Sequence, residues 1–110
     1  MKGTYLGEFE ELVLLTIGAL KDDAYGVSIK LEIEKRAGRI PSIGALHSAL
    51  NRLEEKGFIK STEAGATQER GGRRKRFYTI TAYGRQALSR SHSLRNELFR
   101  LIPGLKLNAR

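Results

Sequence analysis

The chain has 110 residues, and its 20 Lys and Arg against 12 Asp and Glu give a formal net charge of +8. This length suits one small domain, and the basic balance favours a polyanionic partner. The absence of cysteine excludes disulfides and thiolate metal sites, so we expect a cytoplasmic protein with no cofactor and no metal. The longest apolar stretch, 12–20, is too short to span a bilayer, and no membrane partner is expected.

Two helices are predicted in the first third of the chain. The first covers 6–20: acidic residues in its first turn complement the helix dipole, and apolar residues then surround most of the axis, as in a buried core helix. Lys21, Asp22 and Asp23 supply turn and capping residues before the second helix. That helix is indicated by apolar positions recurring every four residues, at Tyr25, Ile29, Ile33 and Ala37. Gly38 and then Pro41 end it, which predicts a tight turn between two helices.

The third predicted helix carries the first candidate functional face. It begins after Ser42 as N-cap and extends to about residue 56, with a leucine stripe turned inward at Leu46, Leu50 and Leu53. The residues outside that stripe are small or polar, namely Gly44, His47, Ser48, Asn51 and Arg52. A slim helix face with donors and acceptors fits the DNA major groove and can read base edges there.

Individual roles on this helix follow from chemistry. Ser42 and the unpaired amides of the first turn can hold a phosphate. Asn51 is a candidate to read adenine, and Arg52 to contact guanine or phosphate. Whether His47 contacts a base or only the backbone stays open, and an ordinary solvated helix face is the alternative interpretation of the whole set.

A basic hairpin is predicted next, with strands at 58–63 and 76–81 and a loop at 64–72. Five cations fall within the seven residues 70–76, at Arg70, Arg73, Arg74, Lys75 and Arg76. Gly71 and Gly72 allow a close approach to a groove, and phosphates would supply the counter-charge. The alternatives are a solvated loop, a localisation signal or a general nucleic-acid patch. Of the adjacent rings Phe77 and Tyr78, we expect one in the core and one as partial cover.

The last predicted helix has Thr81 as N-cap and ends at Pro103 and Gly104. Along it, one seam at spacings of four and three is formed by Ala87, Ser91, Leu94, Leu98 and Leu101. This seam is too long for so small a body to cover, so we predict dimerisation through it, although folding back on its own domain is an alternative. The predicted organisation is a DNA-binding domain at 1–81 and a dimerisation helix with its tail at 82–110.

An enzyme is the least expected interpretation of this chain. His47 and His92 lie on different predicted helices without an acid at an orienting spacing. The order of elements, a polar-faced helix followed by a cationic hairpin, instead predicts a mainly α (α+β) winged helix-turn-helix that binds double-stranded DNA. A protein-interaction module and a nonspecific nucleic-acid-binding protein are the alternative functions.

Five stretches of the sequence together carry a family resemblance: LGEFEELVLL (6–15), DDAYGV (22–27), GALH (44–47), NRLEEKG (51–57) and ERGGRRKR (69–76). In these stretches the chain resembles the PadR-like transcriptional regulators. The resemblance implies a winged helix with a C-terminal dimerisation helix, usually in a repressor of a nearby operon. Because a two-fold dimer reads two related half-sites, we expect a homodimeric repressor on a palindromic operator. It places the recognition helix at 42–56 and the wing at 64–76.

Two departures from the family pattern limit what the resemblance implies. His47 stands where most members have a tyrosine in the recognition helix, so operator choice does not carry over. The chain has no tryptophan, so the indole-lined drug pocket of some members has no counterpart. A small-molecule effector of unidentified chemistry stays open as a further partner.

Overall fold

The computed structural model describes residues 5–64 and 75–105. Four helices and one antiparallel hairpin follow one another in the order predicted from the sequence. Their bounds are α1 Glu8–Leu20, α2 Gly26–Ala37, α3 Ile43–Glu55, β1 Ile59–Ala64, β2 Lys75–Ile80 and α4 Ala82–Arg100, with a single 3-10 turn Lys21–Asp23 between α1 and α2. The fold is therefore mainly helical with a two-stranded sheet, as predicted.

One hydrophobic cluster unites all of these elements. Its largest fully buried side chains come from α1, α2, α3 and the start of β1: Leu14, Ile17, Ile29, Ile33, Leu46, Leu50, Leu53, Phe58 and Ile59. Burial of such side chains contributes roughly 1.5–3 kcal/mol each. The leucine stripe of α3 is thus on the inside, as expected, whereas Ala37 at the end of α2 is exposed and adds nothing to the core.

Local capping fixes both ends of α3. The Oγ of Ser42 accepts a hydrogen bond from the Ala45 amide at 3.0 Å, which satisfies one of the free donors of the first turn. At the other end Gly57 adopts φ +82°, and the Phe58 amide donates to the Leu53 carbonyl at 2.9 Å. A left-handed residue after a helix is the usual way to satisfy its last carbonyls, and glycine takes that conformation without strain. The chain therefore leaves α3 directly into β1.

The hairpin pairs Ile59 with Ile80 at its base and Ala64 with Lys75 at the limit of the described residues. It is fastened to the helical body along β2, because the Tyr78 amide donates to the Ala24 carbonyl at 2.8 Å and Tyr25 forms an isolated bridge with Phe77. Tyr78 is buried, and Phe77 is half-buried against the Tyr25 ring. This arrangement confirms the expectation of one core ring and one covering ring.

The start of α4 is clamped onto the turn between α3 and β1. Thr81 caps the helix by accepting from the Gly84 amide at 3.0 Å, and its own amide and hydroxyl donate to the carbonyls of Phe58 and Gly57. Gly84 permits this contact, because a Cβ at that position would lie 2.2 Å from the Phe58 carbonyl oxygen.

Element boundaries differ from the sequence-based ones by one to three residues. The first helix begins at Glu8 rather than residue 6, and the two strands are each displaced by one residue. The return strand stops at Ile80 because Thr81 is already the N-cap of α4. That helix ends at Arg100, before Pro103 is reached. Ala64, predicted as loop, belongs to β1, and the rest of the predicted loop lies outside the described residues.

Replacement of Gly84 by alanine is expected to destabilise the fold by about 1–3 kcal/mol, because the added methyl group overlaps a backbone oxygen that cannot move without displacing the turn. Chemical denaturation monitored by circular dichroism measures this loss. Gly18→Ala is the matched control. That glycine is also helical, but within residues 5–64 and 75–105 nothing beyond its own helix lies within 4 Å of its Cβ position, so alanine should leave stability unchanged or raise it slightly. Equal stability of the two variants would contradict the close packing of Gly84 against the turn between α3 and β1.

Candidate nucleic-acid interface

The outward face of α3 is polar and slim. Gly44, His47, Ser48 and Asn51 are all exposed, as is the capping residue Ser42. Apart from its own helix backbone and chain neighbours, none of the described residues lies within 4 Å of the position a Cβ would take at Gly44, so this part of α3 is not covered by them. All five were predicted as DNA contacts, and the structure brings them to one face because Leu46, Ala49, Leu50 and Leu53 occupy the opposite one. Contact with DNA itself stays a prediction.

Arg52, the sixth candidate on α3, is held by an ion cluster that the sequence did not predict. Its Nε donates to Oε2 of Glu10 on α1 at 2.6 Å, while Nζ of Lys56 donates to Oε1 of the same carboxylate at 2.7 Å. Lys56 also donates to the backbone carbonyl of Tyr5 at 2.6 Å. The Glu10 residue is 7% exposed, whereas the Arg52 side chain is 50% exposed. The buried carboxylate of Glu10 thus binds the Nε side of the Arg52 guanidinium, and about half of the Arg52 side chain stays exposed to solvent.

The electrostatics of Glu10 reflect this cluster. Burial raises the pKa of its carboxyl, but the hydrogen bonds from Lys56 and Arg52, the charge of Lys56 and a backbone hydrogen bond from Gly7 together outweigh burial, so the pKa lies below the ordinary 4.5. The charged form is therefore favoured in the folded protein. One carboxylate facing two cations leaves the cluster with a net positive charge.

The stem of the hairpin is fixed to both neighbouring helices. On one side Arg76 donates to the Ser61 hydroxyl at 2.9 Å, and Ser61 donates to Oε2 of Glu54 on α3 at 2.8 Å. On the other side Nζ of Lys75 lies 4.2 Å from the centroid of the Tyr25 ring, at the start of α2, a cation–π contact. Lys75, a predicted DNA contact, is exposed there. The remaining predicted wing contacts, Arg70, Arg73 and Arg74, lie outside the described residues.

The predicted dimerisation seam divides into two parts on α4. Ala87 is buried in the core of its own chain, and the Ser91 hydroxyl donates to Glu11 on α1 at 2.9 Å. These two residues are thus engaged within the chain, because the first half of α4 packs on α1. Leu94, Leu98 and Leu101 are 56%, 54% and 71% exposed. With Tyr5 and Leu6, the first two of these leucines line a groove of about 790 Å³.

Sequence reasoning missed the role of Glu10, which it interpreted only as an acid near a helix N-terminus. The signal available was the spacing of Arg52 and Lys56, which places two cations on one side of α3 close to its buried stripe. Such a pair favours a counter-charge on the helix packed against it. Lys75 was predicted, but its contact with Tyr25 was not, because a contact between residues so far apart in sequence leaves no local pattern.

This geometry defines a class of protein: a winged helix-turn-helix, in which α2 and α3 form the helix-turn-helix and the hairpin forms the wing. The family model for the transcriptional regulator PadR-like family matches residues 13–90. The chain therefore belongs to the PadR-like family of transcriptional regulators, as the sequence resemblance indicated. A comparison with curated proteins finds no match.

Solved structures agree with this assignment. A PadR-like transcription factor from Bacteroides fragilis is 26% identical, with 82% of each chain covered and a TM-score of 0.70. A PadR family transcription regulator from Clostridium difficile R20291 is 28% identical over 84% of this chain and 93% of that one, with a TM-score of 0.69. A transcriptional regulator from Clostridium thermocellum is 23% identical over 84% of this chain and 86% of that one, with a TM-score of 0.68, and shows the shared fold alone.

Two further observations concern the described ranges only. None of their helices combines the length and the apolar character needed to cross a membrane. Within the same ranges, no three His, Asp or Glu side chains are grouped so that they could hold a metal ion.

Stability at low pH is expected to depend on Glu10. Because its pKa is lowered on folding, its contribution is complete above about pH 4.5 and is lost as the pH falls through the folded-state pKa. Glu10→Gln should destabilise the protein at pH 7 by roughly 1–3 kcal/mol, since the mostly buried Lys56 loses its charged partner. It should also flatten the decline of stability below pH 4.5. Urea denaturation at several pH values measures both effects.

Glu32→Gln is the control for that experiment. Glu32 also pairs with an arginine, Arg36, but this ion pair is confined to the exposed surface of α2, where such pairs contribute little. The hydrogen bond from Arg36 also lowers the pKa of Glu32, but solvent screens this pair, so we expect near wild-type stability and a much smaller change in the acid profile than for Glu10→Gln. A similar acid profile for both variants would show that Glu10 holds no special role.

Proposed function

We propose that this protein is a sequence-specific DNA-binding repressor of transcription that acts as a homodimer on a palindromic operator. Membership of the PadR-like family supports the regulatory class. The observation that carries the proposal is the hydrogen-bond chain Arg76–Ser61–Glu54, which joins the stem of the basic hairpin to the helix with the open polar face. Helix and wing therefore act on the same duplex as one rigid unit.

Affinity and sequence choice are divided between these two elements. Cations release condensed counterions when they neutralise phosphates, and this term is independent of sequence. The wing, with Arg70, Arg73, Arg74 and Lys75, supplies most of it. Base edges are read by hydrogen-bonding side chains in the major groove, and Asn51 and Ser48 are exposed on α3 for that role. His47, also exposed, contacts either base or backbone, and Ser42 with Gly44 brings the helix end close to a phosphate.

Dimerisation through the second half of α4 is supported by its three exposed leucines and by the groove beside them. A second copy packed there by a two-fold axis would bury Leu94, Leu98 and Leu101 on both subunits. Two winged helices related in this way would read half-sites about one turn of DNA, roughly 34 Å, apart. On this proposal residues 1–81 form the DNA-binding part, and residues 82–110 the dimerisation helix with its tail.

The wing and α3 are expected to respond differently to substitution. Arg73→Ala with Arg74→Ala should weaken binding to all duplexes alike and reduce the salt slope by roughly 0.9 for each phosphate that is no longer neutralised. Asn51→Ala should instead reduce the preference for the operator by about 1–3 kcal/mol at one base position. Fluorescence anisotropy titrations at several salt concentrations, on a duplex selected from a random pool and on a scrambled duplex, measure both quantities.

Three outcomes of that titration separate the alternatives. Equal affinity of the wild type for selected and scrambled duplexes would indicate a nonspecific nucleic-acid-binding protein. Absence of duplex binding would indicate an interaction module. Equal losses on both duplexes for Asn51→Ala would remove Asn51 from the readout residues.

Charge placed in the leucine seam is expected to dissociate the dimer. Leu94→Glu with Leu98→Glu should yield a monomer at micromolar concentration, because like charges would face each other across the two-fold axis. Sedimentation equilibrium measures the mass. Leu31→Glu on α2 is the matched control, since Leu31 is 56% exposed but lies outside the seam, and it should remain dimeric. A wild-type mass for the double variant would contradict the proposed interface.

A further inference from the structure

Glu10 is placed to act on DNA recognition without touching DNA. It lies on α1, buried behind α3, and its carboxylate accepts hydrogen bonds from two α3 cations that are one helical turn apart, Arg52 and Lys56. Both carboxylate oxygens are used. The two cations differ in exposure: the Lys56 side chain is 15% exposed and Arg52 is 50% exposed. Only Arg52 therefore has a large part of its side chain at the surface.

Arg52 occupies the end of the polar stripe on α3. It follows Ser48 by one turn, on the side of the helix where the candidate DNA contacts lie. Recognition helices contact base edges with their N-terminal residues. A residue in the last turns of the helix is therefore closer to the sugar-phosphate backbone that borders the groove, and a guanidinium there suits a phosphate.

The chemistry of the guanidinium allows both contacts at once. Glu10 binds only Nε, and among the described residues the Arg52 side chain makes no other hydrogen bond. The planar group keeps its outer nitrogens as donors in a fixed direction. A lysine at this position has a compact ammonium on a flexible stem, so it has no planar outer edge whose donors are held in a fixed direction when the carboxylate binds it. Lys56 offsets the negative charge of Glu10, so the cluster as a whole stays cationic toward a duplex.

We propose that Glu10 is a positioning residue for DNA recognition, which holds Arg52 by its Nε so that the outer edge of the guanidinium meets a phosphate at the border of the major groove. The inference rests on the proposed DNA-binding function and adds a residue of α1 to it. Without Glu10, the long arginine side chain must be ordered at the moment of binding. Ordering one such side chain changes affinity roughly two- to tenfold.

A double-mutant cycle tests this role. Duplex affinity is measured by anisotropy, at several salt concentrations, for wild type, Glu10→Gln, Arg52→Ala and the combined variant, each at a temperature where circular dichroism shows it folded. Glu10→Gln should weaken binding roughly two- to tenfold even though it removes a negative charge, and it should have no further effect once Arg52 is alanine. Glu32→Gln makes the same charge change on α2 and should not weaken binding.

Arg52→Lys keeps the charge and leaves the Glu10 carboxylate intact, so it provides a second test if Glu10→Gln does not fold. It should bind duplex DNA more weakly than the wild type, because the ammonium lacks the fixed outer edge of the guanidinium, although less weakly than Arg52→Ala, because it keeps the charge. Wild-type affinity for Arg52→Lys, tighter binding by Glu10→Gln, or an equal effect of Glu10→Gln with and without Arg52 would each overturn the positioning role. These results require that the wild type binds duplex DNA; absence of that binding would instead overturn the proposed function.

Discussion

The structure depends on the burial of one stripe of α3 against α1. Leu46, Ala49, Leu50 and Leu53 are at most 1% exposed, and the helical period then leaves the positions between them no direction except outward. The packing of the core thus determines that the polar face of α3 points to solvent. The hairpin depends on the same packing, because Gly57 and Phe58 carry the chain from the end of α3 straight into β1. The positions of α3 and of the hairpin therefore both depend on the packing of α3 against α1.

The position of α4 depends on the same packing. Thr81 and Gly84 bind this helix to the turn between α3 and β1, so the direction in which α4 leaves the body is set by the residues that terminate α3. On the proposed homodimer, the direction of α4 contributes to the distance between the two α3 helices, and Gly84 permits the contact that sets this direction. A fixed spacing of this kind suits a palindromic operator, because the distance between two half-sites must match the distance between the two α3 helices of the dimer.

Local patterns in the sequence predicted the helices and strands. They did not predict contacts between residues that are distant in the sequence. Leucine periodicity, Ser42, Thr81 and the glycine after α3 were sufficient to predict each helix to within three residues. The exposure of Asn51 and its neighbours followed from the same periodicity. The spacing of Arg52 and Lys56 favours a counter-charge but does not identify Glu10 as its source. Nothing local indicated that Ala87 and Ser91 contact their own chain while the leucines beyond them are exposed. Both outcomes depend on how α1 is oriented against α3 and α4, which is a property of the assembled core.

The distribution of charge argues for a division of labour between wing and helix. Several acidic side chains of the helical body are paired with cations, as Glu8 is with Arg39 and Glu34 with Lys30. The segment 65–74, by contrast, carries three arginines and one glutamate. The part of the α3 face formed by Gly44, His47, Ser48 and Asn51 has no carboxylate and no permanent cation, and charged side chains follow it only from Arg52 onward. A surface of this kind gains little from phosphates in general but can distinguish one base edge from another. On the proposed function, salt therefore governs how tightly the protein binds, through the wing, and has little influence on which sequence α3 selects.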